Sequence, residues 1–438
     1  MRALYDLLWY LALPWLPLRL WWRGRKEPGY RARIGERFGT YAGTPQRDVI
    51  WVHAVSAGET RAAAPLIERL LREWPDARVL VTAMTATGDA AARSLYGNRV
   101  TQAWLPYDLP FAMSRFIANF APRAGIVMET EVWPNLMHAC EAADVPVYLV
   151  NARLSPHSAA GYAKLGALAR TTFARFAGVA AQSADDAARL RQAGAINVEV
   201  SGNLKFDIDV PPAQQALASV LRGRFGAARP VLVAASTRDG EEALLIEALN
   251  AAPLPGNALV VIVPRHPQRF DAVAALLDAR GCAFCRRSDD RDVPAGVGFL
   301  LGDSMGELAA YYAASDVAFV GGSLLPFGGQ NLIEPIALGV PTIVGDHTFN
   351  FADAARDAVA AGAALRVDSA TALVAVASEL LVDAAGRATM RKRALAFHAA
   401  HRGAIDRLWL WLSPQLATRA AHGASAINRN GGPRAAQR

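Results

Sequence analysis

Three charged residues stand where apolar runs of the chain give way to turns. Glu59 follows residues 49–55 after a turn of small residues, and Glu129 directly follows residues 126–128. Lys205 follows the last apolar run of the first half of the chain. Ligands of open α/β sheets bind at the carboxyl ends of the strands, so a carboxylate there can act as a catalytic base. A lysine at the same edge can neutralise a phosphate or a carboxylate.

Each of these residues also has a purely structural interpretation. Ser56 and Glu59 have the spacing of a capping box, in which two side chains bond backbone N–H groups at a helix start. Lys205, taken singly, is more often a solvated lysine of a linker. Two acidic residues at neighbouring strand ends, the second followed by Trp133 and Pro134, are harder to explain as caps.

The second half of the chain carries a glycine-rich stretch with an acidic residue behind it. Gly321-Gly322 and Gly328-Gly329 lead into a predicted helix at Asn331, and Glu334 lies one turn further on. Free N–H groups at a helix start favour phosphate, and Glu334 is placed to bond ribose hydroxyls. The pattern is neither a GxGxxG nor a Walker loop. Ordinary glycine turns would explain the glycines but not the glutamate. Other residues at strand ends and helix starts of this half are Arg265, His266, Met305, Gly306 and Glu307.

No residue set predicts a metal site or a redox centre. Asp207 and Asp209 form an Asp-x-Asp triplet, but it lies in a proline-rich linker without other ligands. Cys282 and Cys285 form a Cys-x-x-Cys pair on a predicted strand, with no second pair nearby, which favours a structural role over zinc or thioredoxin-type chemistry. Three cysteines in all exclude a disulfide framework and fit a reducing compartment. We therefore predict no metal and no cofactor.

The elements that would position these residues alternate along the chain. From Val49, apolar strand patterns alternate with helical patterns, and the alternation resumes at about residue 230. Near-continuous apolar strands between helices predict parallel sheets covered on both faces. The predicted fold class is therefore α/β, with two Rossmann-like domains facing each other across a cleft. Helical segments from Ala384 to Leu416 close the fold.

The N-terminus is apolar and aromatic, and arginines follow it. The net charge of +7 and pI of about 9.5 predict an anionic partner. The uncharged stretch from Leu7 to Leu18 is short for a bilayer span, contains two prolines and has four tryptophans in or beside it. We predict an uncleaved membrane anchor, interfacial or marginally spanning, held against anionic lipid by the basic cluster. A buried amphipathic helix is the alternative. A nucleic-acid partner is disfavoured, because the basic residues cluster beside the apolar stretch.

These patterns divide the chain into four segments. Residues 1–22 form the anchor, 23–210 the N-terminal domain, and 211–419 the C-terminal domain. Pro211 and Pro212 mark the linker between the two domains. Residues 420–438 have little to bury and are predicted to be a disordered tail.

Ten blocks of the sequence, in order and with similar spacing, resemble the 3-deoxy-D-manno-octulosonic acid (Kdo) transferases of lipopolysaccharide synthesis. The blocks are RGRKEPGYRARIGERFG, HAVSAGET, LPYDLP, METEVWPNL, NARLSPHSAAGYAKL, GNLKFD, VPRHPQRF, GDSMGEL, FVGGSLLPFGGQNLIEP and HTFNF. The resemblance implies a GT-B glycosyltransferase fold. It also implies inverting, metal-independent transfer of Kdo from CMP-Kdo to the lipid A precursor, lipid IVA. The reaction would take place at the cytoplasmic side of the Gram-negative inner membrane, against its anionic lipids.

The resemblance also assigns roles to residues. Glu59 matches the proton acceptor, and Glu129 and Lys205 match residues that stabilise the transition state. The residues that match the CMP site are Pro264, Arg265, Met305, Gly306, Glu307, Asn331, Leu332, Ile333 and Glu334. Gln330 departs from the family, which usually has histidine there, and this affects one local contact. The alternative function is another GT-B transferase with a UDP-sugar donor and a lipid acceptor, which would not need METEVWPN or GNLKFD.

Overall fold

The chain forms two compact units. The computed structural model describes the backbone of residues 1–207 and 211–429. The first unit contains Met1–Asp207 together with Gly403–Arg438, and the second contains Ile208–Arg402. Each unit is built on a seven-stranded sheet, and every strand pairing found among the described residues is parallel. The α/β class predicted from the alternating pattern is thus confirmed in both halves.

The sheet of the first unit has the strand order β3-β2-β1-β4-β5-β6-β7. Its strands are β1 (Val49–His53), β2 (Arg78–Ala83), β3 (Thr101–Trp104), β4 (Ala124–Met128), β5 (Val147–Ala152), β6 (Gly178–Ala181) and β7 (Val198–Val200). Its helices are α1 (Arg2–Ala12), α2 (Trp15–Lys26), α3 (Ala57–Ala62), α4 (Ala64–Glu73), α5 (Ala86–Tyr96), α6 (Pro110–Phe120), α7 (Pro134–Ala142), α8 (Pro156–Lys164), α9 (Ala167–Phe173) and α10 (Ala184–Gln192).

The side chains of successive residues in β1 pack into two different apolar clusters, one on each face of the sheet. Val49 and Trp51 belong to one apolar cluster, and Ile50 and Val52 belong to another. This is the period of two that a strand imposes on its side chains, and it explains why a strand covered on both faces is apolar throughout. The order of the strands reverses between β1 and β4. In open α/β sheets, the crevice at such a reversal, outside the carboxyl ends of the strands, is the usual ligand site.

The sheet of the second unit has the order β10-β11-β9-β8-β12-β13-β14, and it reverses between β8 and β12. Its strands are β8 (Val231–Thr237), β9 (Leu259–Pro264), β10 (Phe284–Arg286), β11 (Phe299–Leu301), β12 (Val317–Val320), β13 (Thr342–Val344) and β14 (Ala364–Arg366). Its helices are α11 (Pro212–Phe225), α12 (Glu241–Ala251), α13 (Phe270–Ala279), α14 (Leu308–Ala313), α15 (Ile333–Ala337), α16 (Ala352–Ala360), α17 (Ala370–Val382) and α18 (Ala384–His401).

The last helix, α19 (Ala404–Arg429), belongs to the first unit. Leu408, Trp409 and Leu412 are buried in the cluster that contains Ile50. The Asp207 carboxylate accepts hydrogen bonds from two backbone N–H groups at the start of this helix. The sequence pattern instead predicted that residues up to 419 belong to the C-terminal domain. The chain returns to the first unit because the apolar side chains of α19 pack against the first sheet. The backbone of residues 420–429, which the sequence analysis assigned to a disordered tail, continues α19. Asp209 and residues 430–438 lie outside the described residues.

The two N-terminal helices are docked on the first unit and also expose apolar side chains. Leu16 and Leu20 of α2 are buried against Tyr107 and Leu109. Among the residues described, no helix combines the length and apolar character needed to cross a membrane. The large apolar side chains of this segment that are more than half exposed are Leu4, Leu7, Leu8, Leu11, Trp15, Leu18, Trp21 and Trp22. We call these eight residues the apolar face.

Polar contacts fix the orientation of α1. The Tyr5 hydroxyl donates to Asp108 Oδ2 at 2.8 Å, and Arg2 Nε donates to Asn135 Oδ1 at 3.3 Å. Asn135 Nδ2 in turn donates to Asp6 Oδ1 at 2.7 Å. Polar side chains therefore hold α1, while Leu4, Leu7, Leu8 and Leu11 of the same helix are exposed.

Candidate active site

Glu59 lies at the start of α3, directly beyond the end of β1. Its backbone N–H donates to the Ser56 hydroxyl at 3.4 Å, and the Ser56 hydroxyl donates to Glu59 Oε1 at 2.9 Å. Glu59 Oε2 accepts the backbone N–H of Val55 at 2.9 Å. Ser56 is the N-cap of α3, so the helix-capping interpretation of Ser56 and Glu59 is correct. The carboxylate reaches back one residue further than a capping box requires, which fixes it against the turn.

The environment of Glu59 suits a base that works near neutral pH. Burial and, after it, the negative charge of Glu129 raise the pKa of the Glu59 carboxyl to about 7, against the opposing effect of the hydrogen bonds from Val55 and Ser56. Glu131 adds a smaller contribution to the raised pKa. A base whose pKa lies near the working pH combines a useful deprotonated fraction with a strong pull on the proton.

Glu129 and Lys205 form an ion pair beside this carboxylate. Lys205 Nζ donates to Glu129 Oε1 at 2.7 Å, and the two side chains are only 19% and 23% exposed. Glu129 stands one residue beyond β4 with φ of 58°, a left-handed conformation that a glutamate seldom adopts. Because β4 is adjacent to β1, the ends of these strands bring Glu59 and Glu129 to the point where the strand order reverses. Lys205, which follows the edge strand β7, joins them through its contact with Glu129.

Glu131 is a third carboxylate of this cluster, and the sequence analysis did not single it out. Its Oε2 accepts the indole N–H of Trp133 at 2.8 Å. Burial raises the pKa of Glu131, and the charge of Glu129 adds to the effect. The acidic residues of METEVWPN thus act on one another, which the spacing in sequence alone does not reveal.

In the second unit, the first glycine pair does not offer the free N–H groups that the sequence analysis expected. The N–H groups of Gly322, Ser323 and Leu324 donate to the buried carboxylate of Glu241 at 2.6, 3.0 and 3.0 Å. The N–H of Gly321 donates to Ala235 O at 2.8 Å. The Glu241 side chain thus occupies the N–H groups that the sequence predicted to be free for phosphate. The predicted helix at Asn331 begins at Ile333 and has only five residues.

Side-chain hydrogen bonds hold Arg265 and Glu334, two of the other predicted nucleotide residues of the second unit. Arg265 Nε donates to Gln330 Oε1 at 3.2 Å, so the residue that departs from the family pattern binds a predicted CMP residue. Asn331 Nδ2 donates to Glu334 Oε1 at 3.0 Å, and Asn331 Oδ1 accepts the N–H of Ile333 at 3.1 Å. These contacts orient an arginine directly after β9 and a glutamate in the first turn of α15.

Glu307 is held by a residue that the sequence analysis missed. Arg287 donates to both carboxylate oxygens of Glu307, at 3.1 and 3.2 Å, and the Ser304 hydroxyl donates to Oε2 at 2.7 Å. Gly306, which lies between Ser304 and Glu307 in the chain, has φ of 81°. Met305 beside it is 57% exposed.

No metal centre is found in the part of the chain that the structure describes, where no three His, Cys, Asp or Glu side chains are grouped to hold an ion. Asp207 of the Asp-x-Asp triplet instead bonds the start of α19. Metal independence stays a prediction.

Comparison with known proteins identifies the family. The model of the 3-deoxy-D-manno-octulosonic-acid transferase (kdotransferase) family matches residues 32–208, and that of the group 1 glycosyl transferases matches residues 283–397. A Bordetella pertussis protein named 3-deoxy-D-manno-octulosonic acid transferase is 47% identical over 431 residues, which cover 94% of this chain and 99% of the relative. A Haemophilus influenzae protein of the same name is 38% identical over 398 residues, covering 89% of this chain and 93% of the relative.

The fold has relatives among solved structures as well. The Anabaena protein Alr3699/HepE in complex with UDP and glucose aligns with a TM-score of 0.56 at 17% identity, covering 85% of this chain and 100% of that protein. This likeness concerns the fold alone. The sequence relatives, which span nearly the whole chain, decide the family. The chain therefore belongs to the family of the 3-deoxy-D-manno-octulosonic acid transferases.

Proposed function

We propose that this protein is the glycosyltransferase that moves Kdo from CMP-Kdo to the lipid A precursor, lipid IVA, with inversion and without a metal ion. The shared name of its relatives supports Kdo as the transferred sugar. The family resemblance of the sequence blocks implies lipopolysaccharide synthesis as the setting. The observation that carries the mechanism is the buried Glu59 carboxylate, with its pKa of about 7, beside the Glu129–Lys205 pair.

Glu59 is the general base of this proposal. A sugar hydroxyl is a poor nucleophile, and a positioned carboxylate that takes its proton accelerates attack by roughly 10²–10⁴-fold. The acceptor oxygen attacks the anomeric carbon of Kdo from the face opposite the departing CMP, which inverts the configuration at that carbon. The proton moves to Glu59, and the electron pair of the broken bond leaves with the CMP phosphate.

Glu129 and Lys205 stabilise the charges that develop during this step. The sugar gains positive character as the bond to CMP breaks, and the carboxylate of Glu129 favours that charge. Lys205 carries the positive charge that balances anionic groups of the donor, which arrives with a phosphate and a carboxylate. Both groups are preorganised by their mutual 2.7 Å contact, so they need little rearrangement during the reaction.

The second unit is proposed to bind CMP. Arg265, oriented by Gln330, is the cation for the phosphate, and Glu334, oriented by Asn331, is the acceptor for ribose hydroxyls. The remaining residues assigned to this site are Pro264, Met305, Gly306, Glu307, Leu332 and Ile333.

The apolar face is proposed to seat the enzyme on the cytoplasmic side of the inner membrane. Leucine and tryptophan side chains that stand exposed on two short helices suit the boundary between headgroups and acyl chains. Arginines of the same segment, among them Arg19, Arg23 and Arg25, favour anionic lipid by about 1 kcal/mol per charge near the surface. An acceptor that carries acyl chains and phosphates is held at that boundary.

A donor screen with the full-length protein tests this function. The enzyme is incubated with lipid IVA and either CMP-Kdo or UDP-sugars, and the lipid product is analysed by mass spectrometry. We expect the mass of one or more added Kdo units with CMP-Kdo alone. Transfer from a UDP-sugar, with none from CMP-Kdo, would favour the alternative transferase.

A further inference from the structure

We propose that Asn151 is a positioning residue that sets the Glu129–Lys205 pair, an inference that rests on the catalytic roles proposed for those two residues. Asn151 lies near the end of β5, next to β4 in the sheet, and it is completely buried. It is distant in sequence from both members of the pair, and it belongs to the block NARLSPHSAAGYAKL, to which no role has been attached.

The backbone links Asn151 to Glu129. The Glu129 N–H donates to the carbonyl oxygen of Val150 at 3.0 Å, directly before Asn151. Both Glu129 and Asn151 have left-handed backbones, with φ of 58° and 51°. Asparagine tolerates this conformation better than most residues with a side chain. Two adjacent strands thus end in the same uncommon conformation, at the edge of the sheet where the pair is formed.

The side chain of Asn151 links the same place to Lys205. Its Oδ1 accepts the backbone N–H of Leu204 at 3.0 Å. The N–H of Lys205, the next residue, donates to Asn203 Oδ1 at 2.9 Å. These two bonds hold the turn at Leu204–Phe206, and Lys205 Nζ completes a closed circuit by donating to Glu129 Oε1. The circuit runs from Glu129 through Asn151 and the turn to Lys205 and back.

Asn151 carries two features that destabilise the folded state. The hydrogen bond to Leu204 indicates why an asparagine stands at this position nonetheless. The Nδ2 atom of Asn151 is buried without a hydrogen-bond partner among the described residues. An unsatisfied buried donor and a left-handed backbone each destabilise the fold. The amide is oriented by the N–H of Leu204, which requires an oxygen opposite it. Within the described part of the chain, the side chain of Asn151 thus bonds the turn that carries Lys205.

The substitution Asn151→Gly tests this role, because glycine accepts the left-handed backbone and removes only the side chain. The matched control is Asn197→Gly. Asn197 has φ of 50° in the same unit, and its Nδ2 donates to Ala177 O at 3.1 Å, away from the pair. Comparing the two variants separates the loss of this circuit from the general effect of replacing a left-handed asparagine.

The first readout is the chemical accessibility of Lys205, which does not depend on activity. The chain has only four lysines, Lys26, Lys164, Lys205 and Lys392, so amine labelling can be followed at each by mass spectrometry. Loss of one buried hydrogen bond should raise the labelling rate of Lys205, relative to the exposed Lys164, by about 2- to 10-fold. Asn197→Gly should leave the ratio unchanged.

The second readout is a double-mutant cycle on kcat. Asn151→Gly should lower kcat with little change in affinity for CMP, and adding it to Lys205→Met should cause no further loss, because the lysine it positions is already absent. Losses that multiply in the double variant, or an unchanged labelling ratio in Asn151→Gly, would overturn the inference. If Lys205→Met alone keeps full activity, the proposed catalytic role of Lys205 is wrong, while the labelling ratio still decides whether Asn151 positions it.

A second variant covers the case in which Asn151→Gly does not fold. Asn151→Asp keeps an oxygen acceptor for the Leu204 N–H, so Lys205 should stay as protected as in the unmodified protein. Labelling of Lys205 that increases in a folded Asn151→Asp protein would contradict the positioning role.

Discussion

Removing the Ser56 hydroxyl should shift the pH dependence of the reaction upward. Glu59 must be deprotonated to accept a proton, so kcat/KM should rise with pH and level off above the pKa of about 7. The Ser56 hydroxyl donates to Glu59 Oε1 and favours the charged form. In Ser56→Ala that bond is lost, and the acid limb of the profile should move to higher pH.

The size of the shift follows from the energy of the bond. A hydrogen bond to a charged group contributes about 1.5–3 kcal/mol, which corresponds to roughly 1–2 pKa units. Ser56 is partly exposed, so water replaces part of the bond and the lower end applies. The acid limb should therefore move from about pH 7 to about pH 8. Because Ser56 is also the N-cap of α3, the variant should lose about 0.5–2 kcal/mol of stability.

The assay is initial-rate transfer from CMP-Kdo between about pH 5.5 and pH 9.5, with stability measured by urea unfolding. The control is Ser183→Ala. Ser183 caps α10 in the same unit and donates to the carboxylate of Asp186 at 2.6 Å, so it reproduces the loss of a cap without touching Glu59. It should lose stability and keep its acid limb near pH 7. An acid limb that Ser56→Ala leaves unmoved, or one near pH 4 in the unmodified enzyme, would refute the assignment of the base.

Four further outcomes are expected. Lys205→Met should lower kcat by about 10²-fold or more while calorimetry finds CMP affinity nearly unchanged, because the lysine acts on developing charge; weakened CMP binding with normal kcat would contradict this. Arg265→Ala and Glu334→Ala should both weaken CMP binding in calorimetry, and unchanged affinities would remove the nucleotide-site assignment. Leu11→Glu, at a side chain that is 63% exposed, should reduce sedimentation with anionic vesicles and leave CMP binding intact; equal sedimentation would argue against the apolar face. Activity should survive EDTA, and a loss that magnesium reverses would disprove metal independence.

The features that could be predicted from the sequence are those that depend on the local pattern of apolar and polar residues. Apolar runs separated by helical patterns are enough to identify two parallel sheets, since a strand buried on both faces must be apolar throughout. The carboxyl ends of those strands then indicate where ligands bind, and this placed Glu59, Glu129 and Lys205 at one edge of one sheet. The ion pair between Glu129 and Lys205 was not predicted, because Lys205 follows the edge strand β7 and reaches Glu129 through its side chain only in the folded unit.

What the sequence did not reveal depends on contacts between distant segments. Glycine-rich loops look alike whether their N–H groups are free or taken, and only the fold brings the Glu241 carboxylate to Gly322. The last helix follows the second unit in sequence, yet the cluster around Ile50 is where its Trp409 is buried. A tyrosine in an apolar N-terminal helix gives no sign that it binds Asp108. In each case the deciding partner lies more than 75 residues away.

The most direct test of the central claim is the turnover of Glu59→Gln with CMP-Kdo and lipid IVA. Glutamine keeps the size of the side chain and an oxygen for the Val55 N–H, but it cannot accept the proton, so kcat should fall by roughly 10²–10⁴-fold. Circular dichroism and CMP affinity should be unchanged, and stability above about pH 7 should not fall, because the raised pKa of Glu59 means that its charged form opposes folding there. Turnover within a few-fold of the unmodified enzyme would leave Glu59 with only its capping role and contradict the proposed mechanism.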